Sequence, residues 1–202
     1  MDFARSDGVA RTGPGIGPGG GRPLLPVKVV VAGGFGAGKT TAVSQISEIP
    51  VLTTEAPMTD AASHLDDAGG LPKTTTTVAL DFGCLTIDDE IKLYLFGTPG
   101  QERFGFMWPD LTDGALGALV IVDTRRMDAC YAAIDYFERV NLPFVVAINR
   151  FHGSLAHDLD DVRWALDVPE KTPVITFDAR DRASVRDALL VVLRRSLEVL
   201  RG

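Results

Sequence analysis

Nine residues, GGFGAGKTT at 33–41, have the spacing of a phosphate-binding loop. They follow an apolar, β-branched run, VKVVVA at 27–32, and open a stretch with helical character at 40–49. Gly33, Gly38, Lys39 and Thr40 satisfy G-x-x-x-x-G-K-S/T. Glycines at this spacing let the backbone wrap tightly, so that its N–H groups converge on phosphate oxygens. The helix that follows adds the partial positive charge of its N-terminus. Lys39 is then expected to reach the β- and γ-phosphates, and the Thr40 hydroxyl to bind Mg²⁺. The whole loop is predicted to contact nucleotide: Gly33, Gly34, Phe35, Gly36, Ala37, Gly38, Lys39, Thr40 and Thr41. Phe35 is an unusual filling, a bulky ring where it would crowd the γ-phosphate. The loop alone suits GTPases, ATPases and small-molecule kinases equally.

Two further stretches narrow the chemistry. TVALDF at 77–82 begins a predicted strand, and FGTPGQERF at 96–104 ends another. The second resembles the D-x-x-G-Q-E switch II of Ras-like GTPases, which implies that Gly100 donates its backbone N–H to a γ-phosphate and that Gln101 orients an attacking water. Phosphoryl transfer needs positioning and charge stabilisation more than a strong base, so a neutral Gln suffices. Lys39, Gly100 and Gln101 form the candidate catalytic set. The first stretch resembles the T-x-x-x-D-F of Ras-like and Rab-like GTPases. The resemblance implies that Thr77 joins Thr40 at the metal and senses the γ-phosphate. Threonines at 74–77 leave that choice open by a residue. Two positions depart from the pattern. Gly97 stands where an Asp usually orients the magnesium shell, and Pro99 replaces the usual Ala. This variant is similar to the bacterial MglA-type GTPases. TVALDFG, LFGTPGQERF and DARDR together resemble the GTP-binding proteins of actinobacterial conservon operons, over about residues 27–200. That resemblance implies a roadblock/LC7-type partner and a sensor-kinase-like complex.

The base-recognition loop departs further. AINRFHG at 147–153 stands where Ras-like proteins carry N-K-x-D. Asn149 matches, Arg150 takes the Lys position, and His152 takes that of the Asp that accepts two hydrogen bonds from guanine. A neutral imidazole has one acceptor nitrogen and cannot copy a bidentate carboxylate. Losing that pair would lower guanine preference by on the order of 10- to 1,000-fold. Three readings of His152 stay open: an exposed loop residue, an altered base contact, or packing. Asp178, Ala179 and Arg180 stand where the S-A-K loop would lie, and the Ala179 N–H is a candidate for a guanine oxygen.

These residues need a scaffold that brings three loops to one edge. Mostly apolar runs at 27–32, 77–85, 91–96, 115–123, 144–149 and 174–177 read as strands. Segments at 40–49, 127–140, 159–166 and 184–200 read as helices. The alternation predicts an α/β fold, and the phosphate loop with the resemblance implies a P-loop NTPase fold of the Ras-like type. It would have a mostly parallel six-stranded sheet, helices on both faces, and one antiparallel edge strand from a hairpin turning at Asp88-Asp89-Glu90. Residues 1–26, rich in Gly and Pro, read as a flexible tail before a G domain at 27–202. Residues 50–73 read as a long mobile connection.

The chain has 202 residues, 46% of them apolar, enough for one buried core. A net charge of −7 argues against non-specific nucleic-acid binding, which needs a basic face. Cys84 and Cys130 lack metal-ligand spacing and read as reduced, packed thiols of a cytoplasmic protein. No apolar run is long enough for a membrane helix, and neither end carries a lipidation motif, so membrane recruitment would come through a partner. The reading is a GTP/GDP switch with Mg²⁺, slow in hydrolysis without a partner. A non-hydrolysing nucleotide scaffold and a P-loop ATPase or kinase with relaxed base choice are the alternatives. No arginine finger is evident in cis: Arg103 could contribute or make a surface ion pair. The FGFMW stretch at 104–108 reads either as a partner-docking surface or as core.

Overall fold

The computed structural model describes residues 23–58, 76–100, 102–151, 153 and 157–201. Most of the predicted tail, part of the predicted connection, Gln101 and His152 lie outside them. Seven strands form one sheet in the order β2-β3-β4-β1-β5-β6-β7. They are β1 (Leu25–Gly33), β2 (Leu52–Met58), β3 (Thr76–Ile87), β4 (Ile91–Gly97), β5 (Ala115–Val122), β6 (Phe144–Asn149) and β7 (Val174–Phe177). The helices among the described residues are α1 (Lys39–Ile46), α2 (Trp108–Thr112), α3 (Asp128–Arg139), α4 (Leu159–Ala165) and α5 (Arg182–Arg201), with a 3-10 segment at Glu102–Met107 before α2.

The six expected strands are all present, and β4, β1, β5, β6 and β7 run parallel. β3 is antiparallel, as expected, but it is not the edge. β2 pairs antiparallel with it, from Leu52 opposite Phe82 to Met58 opposite Thr76. The polar stretch LTTEAPM gave no apolar signal for a strand, because β2 makes its ladder at a sheet edge rather than in a core. β1 also begins two residues earlier than expected. Leu25 N–H donates to Glu90 O at 2.7 Å. Pro26 is tolerated because pairing with β5 starts only at Lys28. Asp88 and Asp89 both take left-handed φ (50° and 52°), which Asp adopts more readily than most residues, and this closes the β3–β4 hairpin.

Each central strand is buried on both faces, and successive residues alternate between two cores. Val29 and Val31 of β1 join Val43, Ile46, Leu119, Ile121, Val185, Leu189 and Val192 beneath α1 and α5. Val30 and Ala32 join Val120, Val122, Ile134, Phe137 and Val162 beneath α3 and α4. Burying each such side chain contributes about 1.5–3 kcal/mol. Lys28 is the one charged residue in this strand. It escapes burial of its charge by donating to Asp113 O (2.8 Å) at the end of α2 while its ammonium lies over the Phe96 ring. α5 comes close to β5 at Gly117, where an added Cβ would strike Ser196 Oγ and lie 3.0 Å from Pro143 O. We expect Gly117→Ala to destabilise the fold by about 1–3 kcal/mol, measured by chemical denaturation.

Candidate nucleotide site

The phosphate loop leaves the C-terminal end of β1 and turns back into α1. Gly38 caps α1 at φ 111°, a conformation that L side chains rarely adopt. A Cβ there would also meet Asn149 Nδ2 at 2.6 Å and Ala179 Cβ at 3.2 Å. Phe35, Gly36, Gly38, Lys39, Thr40, Thr41, Asp81, Thr98 and Gly100 line one cavity of about 290 Å³. Gly33, Gly34 and Ala37 are the buried part of the loop beside it. The Phe35 ring points outward, 65% exposed, so the cavity is not filled by it. Gly100 approaches the loop so closely that a Cβ would lie 2.7 Å from Lys39 Nζ and 2.8 Å from Phe35 N.

Lys39 is buried, with its ammonium donating to Gly33 O and Gly34 O at 2.8 Å each. Burial disfavours its charge and lowers its pKa to about 8, against the opposing pull of Asp81. Thr40 Oγ1 donates to Asp81 Oδ2 at 2.5 Å. Asp81 is buried on β3 directly opposite Gly97 of β4. A Cβ at position 97 would lie 3.0 Å from Asp81 Cβ and 3.2 Å from its Oδ2. A side chain at 97 would crowd the Asp81 carboxylate. This chain has its carboxylate on β3, with Gly97 facing it across the ladder. In the sequence, Asp81 stands out only as part of the TVALDF motif, whose Thr77 was the expected metal residue. The usable signal was the pairing of that Asp with a Gly at 97. Thr77, four residues before Asp81 on β3, pairs with Pro57 of β2.

A second clasp joins the base loop to the phosphate loop. Asn149, at the end of β6, donates from Nδ2 to Ala37 O (2.9 Å) and accepts at Oδ1 from Ala179 N–H (3.2 Å). The Ala179 N–H, a candidate for a base oxygen, thus has an acceptor within the protein. Asp178 is held by Arg180 through Nε (3.0 Å), Nη2 (2.8 Å) and the Arg180 N–H (2.9 Å). Those bonds hold its carboxyl at about 2. Arg150 donates its backbone N–H to Phe177 O at 2.8 Å, and its Nε is buried without a hydrogen-bond partner. One contact was not foreseen. Arg125, paired with Asp123 at 2.8 Å, lies 4.5 Å from the centre of the Phe151 ring and braces the base loop from the end of β5.

A phosphate loop at the C-terminal edge of a parallel sheet, opening a helix with a buried lysine, defines a P-loop nucleotide-binding protein. Its family is more specific. Residues 31–200 match the family model described as conserved hypothetical ATP binding protein, and the chain belongs to that family. It is 32% identical over 126 residues to the uncharacterized protein MJ1339 of Methanocaldococcus jannaschii, covering 61% of this chain and 70% of that one. Among solved structures, the fold is similar to the G domain of the FeoB iron transporter of T. maritima. That match has a TM-score of 0.56 at 15% identity and covers 86% of this chain and 98% of that one.

An anion at the loop favours the charged form of Lys39 and raises its pKa from about 8. Above pH 8, nucleotide binding should therefore take up a proton, and affinity should fall as pH rises further. Calorimetry at pH 9 in two buffers of different ionisation enthalpy reads this directly. Equal apparent enthalpies would refute it.

Proposed function

We propose that the chain is a Ras-like guanine-nucleotide switch that binds GTP and GDP with Mg²⁺, hydrolyses GTP slowly, and signals through loop order. The Thr40–Asp81 pair facing Gly97 carries this reading. A hydroxyl and a carboxylate are the hard oxygen donors that Mg²⁺ takes alongside phosphates. Bound there, Mg²⁺ would neutralise charge on the β- and γ-phosphates. The Gly97 departure then leaves the metal side with a carboxylate after all.

The chain's own residues divide the work. Lys39 and the loop N–H groups hold the phosphates, and the closely approaching Gly100 offers its N–H to the γ-phosphate. Gln101 orients water. Thr77 would join the metal side and tie switch order to the γ-phosphate. Similarity to the MglA-type and conservon proteins supports a roadblock/LC7-type protein and a sensor-kinase-like complex as partners. It also supports a cytoplasmic location with membrane recruitment through them. No helix among the described residues is long and apolar enough to cross a membrane.

A second reading is an ATP-binding protein of the same architecture. It is favoured by the family's description and by the commitment of the Ala179 N–H to Asn149 rather than to a base oxygen. Affinities for GDP, GTP, ADP and ATP, each with and without Mg²⁺, separate the two. The switch reading expects the guanine nucleotides to bind at least about tenfold tighter. It also expects Gln101→Leu to slow single-turnover hydrolysis by on the order of 100-fold. Equal or tighter ATP binding would favour the second reading.

A further inference from the structure

β2 pairs with β3 only as far as Phe82, so the outer edge of β3 beyond it needs other partners. They come from the end of α1. Cys84 N–H donates to Ser47 Oγ (3.2 Å), and Glu48 N–H donates to Cys84 O (2.8 Å). Thr86 donates from its N–H to Glu48 Oε1 (2.7 Å) and from Oγ1 to Oε2 (3.0 Å). Lys92 of β4, directly opposite Thr86, donates to Glu48 Oε2 (2.7 Å) and to Thr86 Oγ1 (2.9 Å). Gly83 makes the approach possible, since a Cβ there would lie 2.8 Å from Val43 Cγ1 and 3.0 Å from Ser47 Oγ. One carboxylate therefore gathers a helix end and two strands. These hydrogen bonds, the one from Lys92 first, hold its carboxyl at about 2, so it is ionised throughout the working range.

The two ends of α1 are thereby tied to the same strand. Thr40, at its start, meets Asp81, and Glu48, just past its end, meets Thr86 five residues along β3. α1 is only eight residues long, about 12 Å, so a stiff helix fixed at one end has little freedom at the other. We propose that Glu48 is a positioning residue for the metal side of the nucleotide site. It docks α1 on β3 so that the Thr40 hydroxyl and the Asp81 carboxylate stand together before Mg²⁺ arrives. The inference rests on the reading of Thr40 and Asp81 as the metal donors. A merely structural role would lower stability without changing the Mg²⁺ requirement.

The test is a double-mutant cycle read in binding. GDP affinity is titrated against Mg²⁺ for the full chain, Glu48→Ala, Asp81→Ala and the double variant, with EDTA as the metal-free reference. Glu48→Ala should raise the Mg²⁺ concentration for half-maximal enhancement by roughly ten- to a hundredfold, the factor for losing a charge-assisted hydrogen bond. Affinity in EDTA should stay unchanged. The double variant should be no worse than Asp81→Ala alone, because Glu48 acts through that carboxylate. Should Glu48→Ala fail to fold, Glu48→Gln keeps an acceptor for the Thr86 N–H and should give a smaller shift of the same sign. An unshifted Mg²⁺ requirement in the Glu48 variants, or effects that add in full, overturns the inference while leaving the site intact. If the unmodified chain shows no Mg²⁺ dependence, or Asp81→Ala leaves it unaltered, the metal reading falls and the positioning role with it.

Discussion

Strand β1 is bonded to a parallel neighbour on each side and covered on both faces, and everything at the site follows from that confinement. A strand buried this way has no solvent-facing side, so the loop leaving it can only emerge at the C-terminal edge of the sheet. The N–H groups there have no strand left to pair with, and the first turn of α1 presents more of them. Lys39 folds back over Gly33 and Gly34 because their carbonyls are the acceptors within reach of a buried ammonium. The edge is therefore rich in donors before any ligand is present, which suits phosphate oxygens.

Two side-chain clasps then decide where neighbouring loops stand relative to that edge. Asn149 spans from Ala37 to Ala179 and joins the loops after β1, β6 and β7. Thr40 and Asp81 join α1 to β3. Both clasps use short side chains on residues already fixed by strand or helix geometry, so little conformational freedom is lost in making them. The carboxylate beside Thr40 faces Gly97 across the ladder, so the site keeps an acidic group although β4 supplies none. Facing positions on adjacent antiparallel strands have Cβ atoms about 5 Å apart, so a glycine at 97 leaves room beside that carboxylate.

Much of the scaffold was legible because it depends on local pattern. The continuous apolar runs of β1, β5 and β6 could only be strands covered on both faces, and the hairpin was signalled by Asp88 and Asp89 between two such runs. β2 was missed because LTTEAPM has neither an apolar face nor a turn signal, and its pairing is a property of β3. α2 and the 3-10 segment before it were not foreseen either. They are short, and Pro109 in the first turn of α2 hid the helical spacing. Phe104 is buried while Phe106 is 59% exposed, so the FGFMW stretch is part core and part surface, a division that periodicity over five residues cannot resolve.

The sequence by itself determined the phosphate loop, the parallel sheet that presents it, and the candidacy of Lys39, Thr40, Gly100 and Asn149. Each of those rests on residues close together in the chain, where spacing alone fixes geometry. The tertiary structure decided that Asp81 rather than a residue of β4 meets Thr40, and that the Ala179 N–H is given to Asn149. It also decided that Arg125 braces Phe151. These contacts join residues 26 to 41 positions apart, across strand pairings whose register is set by the packing of the whole sheet, and no local pattern encodes that register.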